Sequence, residues 1–210
     1  DLLSFGKPVL VLGDPAQLPP VKGGGFFTEA EPDVMLTEIH RQAADNPIVR
    51  LSMEVREGGQ LSTGTYGESR IIRRADIDTA SVTSADQLLV GLNKTRRAYN
   101  RRMRDILGFK TITPEASDKL VCLKNDRPKG LLNGSLWRVK TSANLRRGRL
   151  RMTVVPEEDQ SRKGQRIGVV PQFFESDEEV PFSLRKNSDE FDYGYALTVH
   201  KAQGSQWDDV

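Results

Sequence analysis

The sequence predicts an α/β fold interrupted by a β-rich insertion, and three observations carry that reading. Short apolar runs alternate with helical patterns from the start of the chain to residue 116. From Ser117 the texture changes to short β-rich runs separated by turn-forming residues, with no helical pattern between them. The chain then returns, in "FDYGYALTV", to an apolar run that delivers a polar turn.

In the first part, "KPVLVLGD" (Lys7 to Asp14) is a short apolar run closed by Gly, Asp and Pro. That is the pattern of a buried strand in a mainly parallel sheet, with a polar loop at its carboxyl end. A second strand is expected over Val34 to Ile39. In "DNPIVRLSMEVREGG", Asn46 is a capping residue, Pro47 occupies the first turn, and Ile48, Leu51 and Val55 recur at helical spacing before Gly58 ends the helix. "DQLLVGLNKTRRAYNRRMRDILG" repeats the unit: Leu88 to Leu92 as a strand, Asn93 as the cap, and a helix to Leu107 stopped by Gly108. Lys94, Arg97, Arg101 and Arg104 fall on one face of that helix, opposite Tyr99, Met103 and Ile106. Such a face suits a phosphate backbone, and it equally suits the solvated side of an amphipathic helix.

The insertion contains "DKLVCLKND", "GSLWRVKTS", "RLRMTVVPE" and "RIGVVP", separated by "NDRPKG", "LLNG" and "EEDQSRKG". Strands at this spacing predict a small antiparallel barrel or sheet. "LRRGRLR", Leu145 to Arg151, is a second basic cluster, most simply an exposed hairpin. There are no internal repeats.

Composition narrows the classes. A chain of 210 residues with 37% hydrophobic and 29% charged residues can bury a real core. The net charge of +2 does not argue for nucleic acid by itself, but local patches matter more to a polyanion than the sum. One cysteine, Cys122, makes no internal disulfide and fits a reducing, cytoplasmic setting. No apolar run approaches the roughly 20 residues that span a bilayer, and there is no signal peptide. The start at Asp1, running straight into "LLSFGKPVLVLGD", reads as the middle of a domain, so processing or truncation is expected.

Two segments look chemical. In "GDPAQLPPV", Asp14 and Gln17 sit on a stiff loop past the end of a strand, where α/β folds bind ligands. A glutamine there can donate to a phosphate oxygen and accept from water. On its residues alone the segment also reads as a proline-rich surface turn capped by Asp14. "YALTVHKAQGSQW" carries Thr198, His200, Lys201, Gln203, Gly204 and Gln206 after a strand, the small hydroxyl, lysine and backbone donors that phosphate positioning needs. His200 by itself reads as well as a structural histidine.

These segments carry a resemblance. "GDPAQLPPV" followed by "LTEIHRQ" resembles motifs III and IV of RecD-like superfamily 1 DNA helicases, the five-prime-to-three-prime branch, and "YALTVHKAQGSQW" resembles their motif V. The match covers essentially the whole chain. It implies an α/β fold with a RecA-like parallel sheet and an inserted small SH3-like β-barrel. The implied division is 1–33 as the end of a first RecA-like domain, 34–116 as the first part of a second, 117–190 as the barrel and 191–210 as the return. By resemblance, Gln17 senses the terminal phosphate of ATP, Asp14 holds its loop, and Arg41 reaches the same phosphate. A guanidinium forks onto phosphoryl oxygens and stabilises their charge; on residues alone Arg41 also reads as a surface ion pair with Glu38 or Glu29. Gly204 and Gln206 match the nucleotide side of motif V, with Gln206 standing where many relatives carry glutamate.

The resemblance further implies single-stranded DNA contacts from Thr198, His200 and Lys201, and from Asn93 and Arg97 in "NKTRR". Lys129, Asn133 and Trp137 of the insertion are further candidates, since an exposed indole stacks on a base; a core role for Trp137 stays open. The cofactors implied are ATP and Mg²⁺, and the partners are single-stranded DNA and nuclease or recombination subunits, in DNA repair or recombination, with no membrane and no metal ligand set in the chain itself. The 210 residues contain no GxxxxGK[ST] loop, and motifs II and VI are absent, so this stretch alone is expected neither to hydrolyse ATP nor to unwind DNA. Two other classes stay open: a non-catalytic single-strand or partner-binding module derived from a helicase, and an RNA helicase.

Overall fold

The computed structural model describes residues 2–14, 17–18, 27, 30–36, 46–176 and 178–210. The chain divides into two compact units, Asp1–Ile77 and Asp78–Val210. Among the described residues no helix is long and apolar enough to cross a membrane.

In the first unit, helix α1 (Pro47–Arg56) forms where its end signals predict. Asn46 Oδ1 accepts from the Ile48 amide at 2.9 Å, Pro47 takes the first turn, and Gly58 lies past the end with a φ of 79°. A small hairpin follows, β1 (Gly64–Tyr66) and β2 (Ser69–Ile71), turning through Gly67-Glu68. The strand expected over Lys7 to Asp14 does not form. Those residues are irregular, and Leu10 and Leu12 are 84% and 85% exposed. A strand is stabilised through its ladder and cross-strand neighbours, and no described residue of this unit pairs with the segment. Residues 34–36 of the second expected strand are likewise irregular, with Leu36 exposed, and 37–39 lie outside the described residues.

The second unit opens with α2 (Thr79–Ser84), capped by Asp78, whose carboxylate accepts from the Ser81 amide at 2.8 Å. Strand β3 (Leu88–Val90) then leads into α3 (Asn93–Ile106). The helix begins at Asn93 with Leu92 as its cap, one residue earlier than the sequence suggests, and Gly108 ends it with a φ of 84°. β4 (Lys119–Cys122), β5 (Leu136–Arg146), β6 (Arg149–Pro156) and β7 (Gln165–Val169) follow. Two four-residue helices, α4 (Gln172–Glu175) and α5 (Phe182–Arg185), precede β8 (Phe191–Tyr193) and β9 (Ala196–Thr198), and α6 (Val199–Ala202) closes the series.

"FDYGYALTV" is two strands rather than one. β8 pairs antiparallel with β4, whereas β9 pairs in parallel with β3, Leu88 opposite Ala196 and Val90 opposite Thr198. Gly194 makes the handover. A Cβ there would stand 2.8 Å from the carbonyl carbon of Leu120 and 3.1 Å from Leu136 Cδ2. The insertion is a five-stranded antiparallel sheet of order β7-β6-β5-β4-β8. One parallel bridge, Val169 to Asp189, joins the end of β7 to the segment before β8. No continuous ladder links the two edges, so the sheet is not a closed barrel. Leu120, Cys122, Val139, Val154, Ile167 and Phe191 form its core together with Trp137, and Met103 of α3 packs into the same cluster.

Arg104 departs from the basic stripe expected of α3. Its side chain is buried and forks onto Asp118, Nε to Oδ1 at 2.9 Å and Nη2 to Oδ2 at 3.0 Å. Two further donations go to the carbonyls of Thr111 and Thr113. One helical turn past the buried Asn100, a long cation reaches the fully buried carboxylate of Asp118, which is why periodicity misplaces it. Removing one partner of such a pair strands a buried charge. Asp118→Ala is therefore expected to lower the unfolding free energy in urea by about 3–5 kcal/mol, whereas replacing both Arg104 and Asp118 with apolar residues recovers most of the loss. A single-variant loss well under 1 kcal/mol, roughly that of a surface pair, would show the pair to be incidental.

Candidate nucleic-acid interface

The sequence run "YALTVHKAQG" turns polar where β9 ends, and two buried amides fix the start of that strand. Asn100 on α3 accepts from the Ala196 amide at 2.9 Å and donates to the Ala196 carbonyl at 3.1 Å. Gln87 donates to the carbonyls of Gly194 and Tyr195 at 3.1 and 2.9 Å. Strand and helix are thereby locked together before the polar turn begins. Thr198 is buried as the cap of α6, His200 is exposed, and Lys201 is half-buried. Thr198 ends the parallel strand β9, and His200 and Lys201 follow its carboxyl end, the end at which α/β sheets bind ligands.

Lys201 Nζ donates to Oδ1 of Asn133, which stands in the loop between β4 and β5. The Asn133 amide in turn donates to Asn125 Oδ1 at 2.7 Å, so the loop is held from both sides. Burial lowers the Lys201 pKa from its ordinary value; the Cys122 thiol opposes that shift and the positive charge of Arg96 adds to it. Arg96 donates to Asn93 Oδ1 at 3.2 Å and forks no further than Asp192, at 2.8 Å. The start of α3, the β4–β5 loop and α6 thus bring Asn93, Arg96, Asn133 and Lys201 into one electrostatic neighbourhood. Arg97 is half-buried on the same helix. Gly204 adopts a φ of 84°, which glycine takes without strain, and both Gly204 and Gln206 are exposed.

Trp137 is corrected from a stacking platform to a core residue. It is 6% exposed, meets the ring of Phe191 edge-on at 6.4 Å, and donates its indole N–H to Ser135 Oγ at 2.8 Å. No ring face is left for a base. Lys129 is held by Asp189 and Asp126. Asp14 and Gln17 belong to the first unit: the Gln17 amide donates to the Asp14 carbonyl at 3.1 Å, and the Asp14 carboxylate pairs with Arg56 at 3.0 Å. Arg41 lies outside the described residues. Among the described residues no group of three or more His, Cys, Asp and Glu is arranged to hold a metal ion.

Sequence reasoning missed Arg96, Gln87 and Asn100. Arg96 carried a signal, its i+3 spacing from Asn93 within "NKTRR". The two amides carried none, because their partners are backbone groups more than 90 residues away.

A family described as an AAA domain matches residues 3–76. The ATP-dependent RecD2 DNA helicase of Deinococcus radiodurans is 27% identical over 98% of this chain and 28% of its own length. The conjugal transfer protein TraA of Rhizobium radiobacter is 27% identical over 98% of this chain and 20% of its own. The chain thus spans less than a third of the curated relatives it matches. The Pif1 helicase from Bacteroides, solved with ADP-AlF3 and single-stranded DNA, is 13% identical with a TM-score of 0.35, over 60% of this chain and 33% of that one. Along nearly its whole length the chain is similar in sequence to a RecD-like DNA helicase.

Two outcomes follow from this geometry. Gly194→Ala is expected to cost about 1–3 kcal/mol through overpacking against backbone that cannot swing aside, read as a lower urea midpoint; an unchanged midpoint would mean that β8 and β9 can separate freely. For Lys201, the lowered pKa means the unfolded chain holds the proton more tightly, so stability rises as pH climbs from the folded value towards 10.5. Lys201→Met is expected to leave the thermal midpoint near neutral pH unchanged or raised and to flatten that alkaline rise. A fall of several degrees near neutral pH would make the lysine a structural group.

Proposed function

We propose that this chain is part of an ATP-dependent DNA helicase that translocates on single-stranded DNA and unwinds duplex. What supports the reading most is the setting of Thr198, His200 and Lys201 at and just past the carboxyl end of a parallel strand, in a chain similar along 98% of its length to a protein named as an ATP-dependent DNA helicase. Thr198, His200 and Lys201, with Asn93 and Arg97, grip the phosphate backbone of one strand. Such contacts position a nucleic acid without reading its sequence, and they weaken as salt rises.

On the nucleotide side, Gln17 and Arg41 address the terminal phosphate, Asp14 holds the Gln17 loop through Arg56, and Gly204 and Gln206 approach the nucleotide from motif V. Closure of the two RecA-like domains on ATP, and reopening after hydrolysis, is the step these residues report. Mg²⁺ would supply charge neutralisation in phosphoryl transfer. The five-stranded sheet takes the place of the inserted SH3-like module, between 34–116 and 191–210 as parts of one RecA-like domain following 1–33 of another. This stretch alone, with no phosphate-cradling GxxxxGK[ST] loop in its sequence, does not hydrolyse ATP.

The test is ATP hydrolysis by the full-length protein, with and without single-stranded DNA. Strong stimulation by DNA is expected, and Arg41→Ala is expected to lower the rate by about a thousandfold or more, the scale of a phosphate-stabilising arginine. Lys201→Ala is expected to reduce the salt slope of single-strand binding by about 0.7, one phosphate contact. Absence of hydrolysis by the full-length protein would leave the motifs as scaffold for a non-catalytic binding module.

A further inference from the structure

From Asn133 to Pro156 the chain carries six cations and no carboxylate. The β5–β6 hairpin arranges most of them on one face. Arg146 stands directly opposite Arg149, and Asn144 opposite Arg151. On the next strand Gly168 lies opposite Arg151 and Arg166 opposite Thr153. Since side chains alternate across a strand, Arg146, Arg149, Arg151 and Arg166 share the outer face, and Leu150, Met152 and Val154 point into the core. Arg151 lies flat across this face, its guanidinium carbon 3.6 Å from where a Cβ of Gly168 would stand.

Two features of the face are costly unless an anion is present. Like charges directly opposite each other in a ladder destabilise it, and Arg146 and Arg149 are such a pair. Arg149 donates to the Lys186 carbonyl at 3.2 Å, while its Nη1 is buried without a hydrogen-bond partner among the described residues. No ion pair among the described residues involves any of the four arginines. The carboxylate on the neighbouring segment, Asp189, is occupied by Lys129 and by the Gly168 amide.

We propose that this outer face of the β5–β6–β7 sheet is a second nucleic-acid surface, separate from Lys201, and that its ligand is the phosphate backbone of duplex DNA. The proposal rests on the helicase reading for its ligand class and on the face for everything else. Single-strand sites combine phosphate contacts with aromatic rings on which bases stack, and this face presents no ring. A duplex presents one negative charge per ~1.7 Å of its axis and needs no stacking partner. Arginines fixed on a sheet, with same-face neighbours about 7 Å apart along each strand, suit such a charged surface.

The experiment compares the full-length protein with an Arg146→Gln, Arg151→Gln, Arg166→Gln variant, leaving the partly enclosed Arg149 in place. Binding to a blunt duplex and to a single strand of the same length is measured across a salt series. The slope of log affinity against log salt is expected to fall by about 2 to 3 for duplex, at about 0.9 per phosphate contact, with single-strand binding unchanged and the thermal midpoint unchanged or raised. Lys201→Ala is expected to do the reverse, reducing the single-strand slope alone. An unchanged duplex slope overturns the proposal and leaves the face to an acidic protein partner, while persisting single-strand binding keeps the helicase reading intact. Equal losses on both ligands also overturn it, since they mean bulk charge rather than a second surface. Binding of neither ligand by the parent protein removes both readings.

Discussion

The ion pair between Arg104 and Asp118 is the contact on which the second unit depends. Two charges removed from water carry a desolvation penalty that their mutual attraction offsets only if the remaining donors and acceptors are satisfied. Here they are. Arg104 makes four donations, two to Asp118 and two to the carbonyls of Thr111 and Thr113. Asp118 accepts in addition from the Tyr195 hydroxyl at 2.9 Å and the Glu115 amide at 2.8 Å. The guanidinium also lies 4.4 Å from the ring centroid of Tyr193. Burial, and then the Asp118 charge, pushes the Tyr195 hydroxyl well above its ordinary range, so it stays a donor. Helix α3, the crossover from residue 107 to 118, and the β8–β9 handover meet at this one pair.

That junction explains why the polar turn after β9 has a fixed position. β8 belongs to the antiparallel sheet and β9 to the parallel pair, with Gly194 between them. Tyr193 and Tyr195, on either side of that glycine, both face the Arg104–Asp118 pair. Asn100, one helical turn before Arg104, holds Ala196. Lys201 therefore stands at the end of a chain of buried polar contacts rather than on a free loop. Its contact with Asn133 ties it to the inserted sheet, which joins the insertion physically to the strand-end site.

Local interactions are what the sequence discloses. Asn46, Pro47 and Gly58 mark α1 because capping and backbone geometry act within a few residues. The hairpin β5–β6 is legible for the same reason, its turn residues Arg147 and Gly148 both lying in the left-handed region. The strand expected at Lys7 to Asp14 shows the limit. Apolar content reports what a segment could bury, and pairing decides whether it becomes a strand. Arg104 shows another limit, since helical periodicity places it with Arg97 and Arg101 and only Asp118, 14 residues on, turns it inward. Trp137 could be read either way from composition, and the T-shaped contact with Phe191 decides for the core.

A net charge of +2 says little about the surface because the carboxylates are not spread evenly over the cations. Asp118 goes to Arg104, Asp192 to Arg96, Glu157 to Arg138 and Lys119, Glu190 to Arg185 and Lys124, and Asp189 to Lys129. These pairs join elements of the fold, and several are largely buried, where a charge persists only if paired. The arginines of the outer hairpin face enter no such pair among the described residues. Because these carboxylates are taken up by other cations, the outer hairpin face is left as a local patch of one sign. A field of that kind acts on a polyanion over about a Debye length whatever the sum of charges elsewhere. Lys201 differs from that patch in kind: it is partly desolvated, held by Asn133, and its pKa is lowered by burial and by the charge of Arg96. One lysine fixed by contacts can set where a strand lies, whereas a row of arginines without carboxylate partners supplies attraction over a broad area. Under the proposed reading, the two surfaces divide positioning from attraction, so that a strand is both placed and reached.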